Sequence, residues 1–151
     1  MCDKDLMRMA LEEAALAAEA EEIPVGAVIT CNGEVIARAH NLCETESRAT
    51  AHAEILAIEE ACRKLGRWRL SDCTLYVTLE PCSMCTGAAI NARIGRIVFA
   101  AKDARAGACG SLVNLPFYPL EARPVCESGL MQEESLAMLR EFFSKLRKHH
   151  E

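Results

Sequence analysis

The sequence predicts an α/β domain, a sheet covered by helices. Three observations carry that expectation. Asn32-Gly33 joins two β-rich runs and marks a hairpin. A strand–helix–strand unit over residues 74–101 calls for a right-handed parallel crossover. Helical segments open and close the chain, so the order reads α-β-β-α-β-α-β-α. The chain has 151 residues and no internal repeat, low-complexity tract or linker, so residues 1–151 read as one domain.

Each element has a local reason. Residues 4–20 are rich in Ala, Leu and Glu without Gly or Pro, which favours a helix that Pro24 and Gly26 punctuate. Residues 25–31 and 34–39 are the hairpin strands. Thr50 is the expected cap of a helix running to Leu65. Ile55, Ile58, Cys62 and Leu65 fall on one face of it, and Gly66 ends it. TLYVTL at 74–79 reads as a buried strand, and Pro81 suits the first turn of a helix reaching about Asn91. RIVFAA at 96–101 is the next strand. Residues 104–121, with two Gly and two Pro, read as a long loop. The last helix spans about 132–148, with Leu136, Leu139, Phe143 and Leu146 as its apolar stripe.

Composition narrows the function. A hydrophobic share of 51% and a charged share of 26% are globular and exclude a disordered chain. A chain of this size buries roughly two thirds of its unfolded surface. Its apolar runs fall far short of the roughly 20 residues of a membrane span. Residues 1–22 are acidic and lack the basic-then-apolar pattern of a secretory signal. Nine cysteines, an odd number, read as thiols or metal ligands in a reducing cytoplasm. The net charge of −5 argues against a strongly basic nucleic-acid binder. Residues 63–105 nevertheless carry eight bases against three acids. That suits either a local phosphate-binding face or ordinary solvated charge.

Two motifs carry chemistry. His52-Ala53-Glu54 and Pro81-Cys82-Ser83-Met84-Cys85 each stand at the start of a predicted helix. Chance supplies roughly 0.5 H-x-E matches but only roughly 0.02 P-C-x-x-C matches in such a composition, so the second motif gives the pair its weight. One His nitrogen and two Cys sulfurs make three zinc ligands and leave the fourth tetrahedral position to water, the pattern of a catalytic site. Helix N-termini favour the thiolates. Glu54, turned away from His52 along the helix, is free to move the water's proton. A thioredoxin-like Cys82/Cys85 pair would leave His52 and Glu54 idle, and a purely structural zinc would need a fourth ligand from an isolated cysteine. His40, His149 and His150 read as surface residues, and Cys62 and Cys73 as core thiols. Cys2, Cys31, Cys43, Cys109 and Cys126 belong to no motif.

From Ile23 to Ser111 the chain closely resembles the zinc-dependent cytidine/deoxycytidylate deaminase superfamily. The resemblance rests on the H-x-E…P-C-x-x-C signature and its surroundings, TAHAEILAIEEACRKLG and TLEPCSMCTGAAINARIGRIVFAAKDARAGACGS. Within that superfamily it is most similar to the bacterial tRNA-specific adenosine deaminases. The resemblance implies a three-layer α/β/α fold with a mixed central sheet of about five strands. It implies hydrolytic deamination of the wobble adenosine in a tRNA anticodon loop to inosine, by zinc-activated hydroxide with Glu54 as proton shuttle. His52, Cys82 and Cys85 would hold one zinc per subunit. Asn41 would orient the nucleoside, and Ile23 would wall the base pocket. Lys102, Asp103 and Arg105 would contact RNA, and Phe142 would contact a base. The family is usually homodimeric, with clefts that use both subunits. Duller roles exist for these contacts: Asn41 could make a turn, Ile23 could be core, and Asp103 could cap a turn.

The chain also departs from the family. Leu120-Glu121-Ala122 stand where an aromatic-Asn-His run is usual, and a cleft-facing Glu121 would repel phosphate. Arg48 and Ala49 replace the usual acidic and small residues, and Leu115-Pro116-Phe117-Tyr118-Pro119 is unusual. The altered loop and the net charge leave open a deaminase of a free nucleobase or nucleoside, of guanine or cytosine type. The KDARAG loop, Asn41 and the basic tail favour tRNA. A non-catalytic RNA-binding or partner-binding subunit would have no use for Glu54.

Overall fold

The computed structural model describes residues 1–149, with backbone alone for His149, so the side chains of His149 and His150 lie outside the described residues. The elements follow in order: α1 (Asp3–Glu19), β1 (Gly26–Cys31), β2 (Glu34–His40), a short α2 (Cys43–Glu46), α3 (Ala53–Leu65), β3 (Cys73–Leu79), α4 (Ser83–Asn91), β4 (Arg96–Ala101), a 3-10 turn at Leu115–Phe117, β5 (Val125–Ser128) and α5 (Gln132–His149). The strands form one mixed sheet in the order β2-β1-β3-β4-β5. β1 runs antiparallel to both β2 and β3, while β3, β4 and β5 are parallel.

Period-2 alternation builds two cores from the same strands. Ala27, Ile29, Leu75, Val77, Ile97 and Phe99 face α3 and α4. Val28, Tyr76, Val98 and Ala100 face Leu6, Met7, Ala10 and Leu11 of α1, with Met131 and Met138 beside them. The result is the three-layer α/β/α arrangement. α1 lies so close to β1 that a Cβ on Gly26 would collide with the backbone of Ala10 and Ala14.

Local signals place most boundaries. Asn32 and Gly33 both take positive φ, 51° and 79°, as a type I′ hairpin turn requires. Gly66 closes α3 in the left-handed region, at φ 67°. Four expectations need correction. The cap of α3 is His52 and not Thr50, because Thr50 lies in a turn closed by the Ala51 N–H donating to Arg48 O at 3.2 Å, and His52 itself still has extended dihedrals, φ −73°, ψ 151°. Pro81 precedes α4, whose cap is Cys82. The buried face of α3 is Ala53, Glu54, Ala57, Ile58 and Ala61, so small residues let the helix sit close to the sheet; Ile55, Cys62 and Leu65 are only half-buried. The element order lacked α2 and β5. β5 is an edge strand with no buried residue, so no hydrophobic alternation betrays it.

At the end of the sheet away from the cleft described below, charge ties the layers together. Arg96 on β4 donates to both oxygens of Asp3, at 3.0 and 2.6 Å, and also pairs with Glu127 of β5. The Arg96 guanidinium and the Tyr76 hydroxyl hold the Asp3 carboxyl down at about 2. At the other end of the sheet, where His40 pairs with Gly26, His40, expected at the surface, is half-buried, and its Nδ1 lies 2.9 Å from Glu13 of α1.

Candidate active site and metal centre

His52 and Cys82 are the caps of α3 and α4, and Cys85 lies in the first turn of α4. The two helix starts meet at the end of the sheet where β3 finishes. His52 Nδ1 lies 3.6 Å from Cys82 Sγ and 3.4 Å from Cys85 Sγ. These spacings allow a direct test of zinc. With Zn–S near 2.3 Å and Zn–N near 2.05 Å, tetrahedral angles put N and S about 3.6 Å apart. The observed separations fit, so the three side chains could hold a zinc ion as they stand. Cys82 and His52 are half-buried, and Cys85 is fully buried behind them.

The electrostatics suit ligation. Cys82 is held well down, at about 3, first by the Cys85 thiol donating to it and then by His52, against the opposing effect of burial. Cys85 is pushed up by that same contact and by burial, so Cys82 is the thiolate of the pair. His52 is raised, chiefly by its contact with Cys82. Glu54, on the buried face of α3, is 4% exposed. Burial pushes its carboxyl up to about 7, while its own backbone N–H and His52 pull the other way.

A cleft of about 1530 Å³ opens over this group. His52, Glu54 and Cys82 line it, as do Ile23, Asn41, Lys102, Asp103, Arg105 and Phe142. Nine of the ten candidate residues therefore share one cavity, and Cys85 sits behind its wall. Ile23 is not core: it is 45% exposed at the rim. Asn41 is buried and pinned at both ends of its amide. Its Oδ1 accepts the N–H of Ala53 at 2.8 Å, and its Nδ2 donates to Ile23 O at 3.2 Å. It thus locks the Ile23 segment to the start of α3. Asp103 does cap a turn, since its Oδ1 accepts from the N–H groups of Arg105 and Ala106.

The apolar stripe of α5 forms part of the cleft wall. Leu136, Leu139, Phe143 and Leu146 line the cavity beside Phe142, while Ser135 turns inward and donates to Thr78 O at 2.6 Å. A stripe reveals that a helix has an apolar face, not what that face meets. Glu121 does not line the cleft; it is exposed and lies 3.4 Å from Arg93.

Two buried carboxylates escaped the sequence reading. Glu80, directly after β3, accepts from the N–H groups of Asp103, Cys109 and Ser111 and from the Ser111 hydroxyl. It gathers the loop that carries Lys102 and Arg105. A Cβ on Gly107 would collide with that carboxylate. Glu22 accepts from the N–H groups of Glu44 and Thr45 and from the Thr45 hydroxyl. Burial alone would raise its carboxyl, but these donors hold it below the ordinary value. Glu80 stands one residue before Pro81-Cys82, yet a single acid beside a motif carries no pattern of its own.

Residues 1–147 match the family model of the MafB19-like deaminases. That match defines the class: a deaminase, an enzyme of hydrolytic C–N cleavage. The chain is 51% identical over 149 residues to a tRNA-specific adenosine deaminase of Bacillus subtilis (strain 168), covering 97% of this chain and 91% of that protein. A structure from work on A-to-I editing by tRNA:A34 deaminases at the wobble position superposes with a TM-score of 0.87 at 44% identity, over 89% of this chain and 99% of the other. A guanine deaminase from Nitrosomonas europaea shares the fold at 28% identity and a TM-score of 0.82, over 95% of this chain and 85% of that one. The chain belongs to the deaminase family that includes the tRNA-specific adenosine deaminases.

Proposed function

We propose that this protein converts the wobble adenosine of a tRNA anticodon loop to inosine, with zinc held by His52, Cys82 and Cys85. The observation that carries the substrate is the near-full-length 51% identity to a tRNA-specific enzyme, against 28% to a guanine deaminase. The cleft agrees. Its roughly 1530 Å³ exceeds the roughly 300–1,000 Å³ typical of a small-ligand pocket, and suits a splayed-out base with its neighbours. Lys102, Arg105 and Lys145 offer cations along it for phosphate, and Phe142 and Phe143 offer faces for stacking.

Zinc, when bound, supplies a Lewis acid that lowers the pKa of water towards about 7. Glu54 does the proton work. Its carboxylate takes a proton from the attacking water, delivers it to the purine ring nitrogen next to the reacting carbon, and then assists departure of ammonia. Asn41 holds the Ile23 wall in place, so the base enters against a fixed surface.

We also infer a homodimer. Leu112, Val113, Phe117, Tyr118 and Leu120 are all exposed on one segment, more apolar surface than a stretch of nine residues usually leaves in water. Light scattering at micromolar concentration tests this, and a monomeric mass overturns it. Nine unpaired thiols suit the reducing cytoplasm. The central experiment incubates zinc-loaded protein with an anticodon-arm RNA bearing adenosine at the wobble position, read by mass spectrometry. Inosine at that position alone supports the reading. Conversion of free guanine or cytosine, with RNA untouched, replaces it.

A further inference from the structure

The opposite end of the sheet holds a second cluster of metal-binding side chains that the deaminase site does not use. Cys31 ends β1, Cys73 begins β3, and the two are direct register partners on antiparallel strands. Asp72 precedes Cys73. The three ligand atoms all lie within 4.8 Å of one another. Cys31 Sγ donates to Asp72 Oδ2 at 3.3 Å, and Cys73 Sγ faces Oδ1 at 3.7 Å. Both thiols therefore point their protons at one carboxylate, into the space between three donors. β3 is seven residues long, so this cluster lies about 20 Å from the cleft end of the strand.

We propose that Cys31, Cys73 and Asp72 form a second site for a thiophilic divalent cation such as zinc. The donor set is S₂O, and the exposed side of Asp72 leaves room for water as a fourth ligand. Thiolates select zinc over the harder magnesium and calcium ions. Binding replaces the two thiol protons, which leave to solvent, so no oxidant or reductant is involved. Arg67 completes the arrangement from outside. Its Nη2 donates to both Asp72 oxygens, at 2.8 and 2.9 Å, and lies 3.7 Å from Cys31 Sγ. A carboxylate has about four lone-pair sites, so Asp72 can keep Arg67 and still ligate. The charges then cancel: a dication and a guanidinium against two thiolates and a carboxylate. A bound cation would staple the end of the β1–β2 hairpin to the start of β3. This site stands independently of the deaminase substrate.

Native mass spectrometry of the zinc-loaded protein, equilibrated with buffered free zinc, counts ions per chain. Wild type is expected to take two. Cys73→Ser and the surface substitution Asp72→Asn are each expected to take one, with the second affinity down at least tenfold. All three should keep their deaminase activity. Added zinc should also raise the melting temperature of wild type more than that of Asp72→Asn. Cadmium gives an independent signal, a thiolate charge-transfer band that Cys73→Ser reduces. One ion per wild-type chain overturns the proposal, as does a second ion that survives both substitutions. Asp72 is at the surface, so its variant remains decisive even if Cys73→Ser folds poorly.

Discussion

Among the described residues three glutamates are buried, Glu22, Glu54 and Glu80, and they divide into two kinds. Glu22 and Glu80 are each surrounded by donors: two backbone N–H groups and a hydroxyl for Glu22, three N–H groups and a hydroxyl for Glu80. Glu54 is equally buried but has only its own N–H and the neighbouring His52 and Cys85 for company, and its carboxyl is pushed up to about 7. A carboxylate saturated with donors is a structural knot. Most or all of its lone pairs are taken up by fixed donors, and its work is to hold distant segments together. A buried carboxylate left short of donors at the wall of a cleft is poised to accept a proton and give it back. Burial alone therefore does not distinguish an anchor from a proton carrier; the count of donors does.

The comparison can be broken at its catalytic end first. Glu54→Gln is expected to lower the deamination rate by about 10²–10⁴-fold or more, with metal content and melting temperature unchanged. Single-turnover inosine formation and metal analysis check it. A parallel loss of stability would make Glu54 a third knot. Glu80→Ala is expected to do the reverse. It orphans three N–H groups at about 1–3 kcal/mol each if they stay buried, so the melting temperature falls sharply and the loop at 102–111 becomes the preferred site of proteolysis. Activity should fall through KM more than through kcat, because Lys102 and Arg105 lose their placement.

Glu22→Ala sharpens the contrast at lower amplitude. It frees only the single turn of α2 at the rim, so about 1–3 kcal/mol of stability should go, read by urea denaturation, with kcat kept within a few-fold. The smallest effect belongs to a half-exposed carboxylate. Asp3 is held at about 2 in the folded chain by Arg96 and Tyr76, against about 3.9 unfolded. Its contribution is present above about pH 4 and is lost as pH falls towards about 2. Solvent screening keeps it within about 1 kcal/mol. Asp3→Asn should flatten acid unfolding in that window and leave neutral-pH activity untouched.

The corrected caps show how far sequence reasoning reaches. Thr50 is the better capping residue by type, yet it is caught in the turn that precedes the helix, and α3 starts at Ala53, whose N–H is taken by Asn41, 12 residues earlier. The α5 stripe was legible as amphipathic, but its partner was not. It lines the cleft because Ser135, on the adjacent face, docks onto β3. β5 was invisible because an exposed edge strand carries no alternation, and its register comes from β4 alone.

What the sequence by itself determined were features whose cause lies within a few residues: the Asn32-Gly33 turn, the Gly66 stop, the alternating strands, and a ligand set spaced so that two helix starts present it. Tertiary structure alone decided which buried acids are anchors. The donors on Glu22 come from 22 and 23 residues away, and those on Glu80 from 23, 29 and 31. It also decided that Cys31 and Cys73, 42 positions apart, stand side by side. Turn chemistry and hydrophobic period act along the chain, whereas hydrogen-bond saturation and ligand geometry depend on segments that only folding brings together.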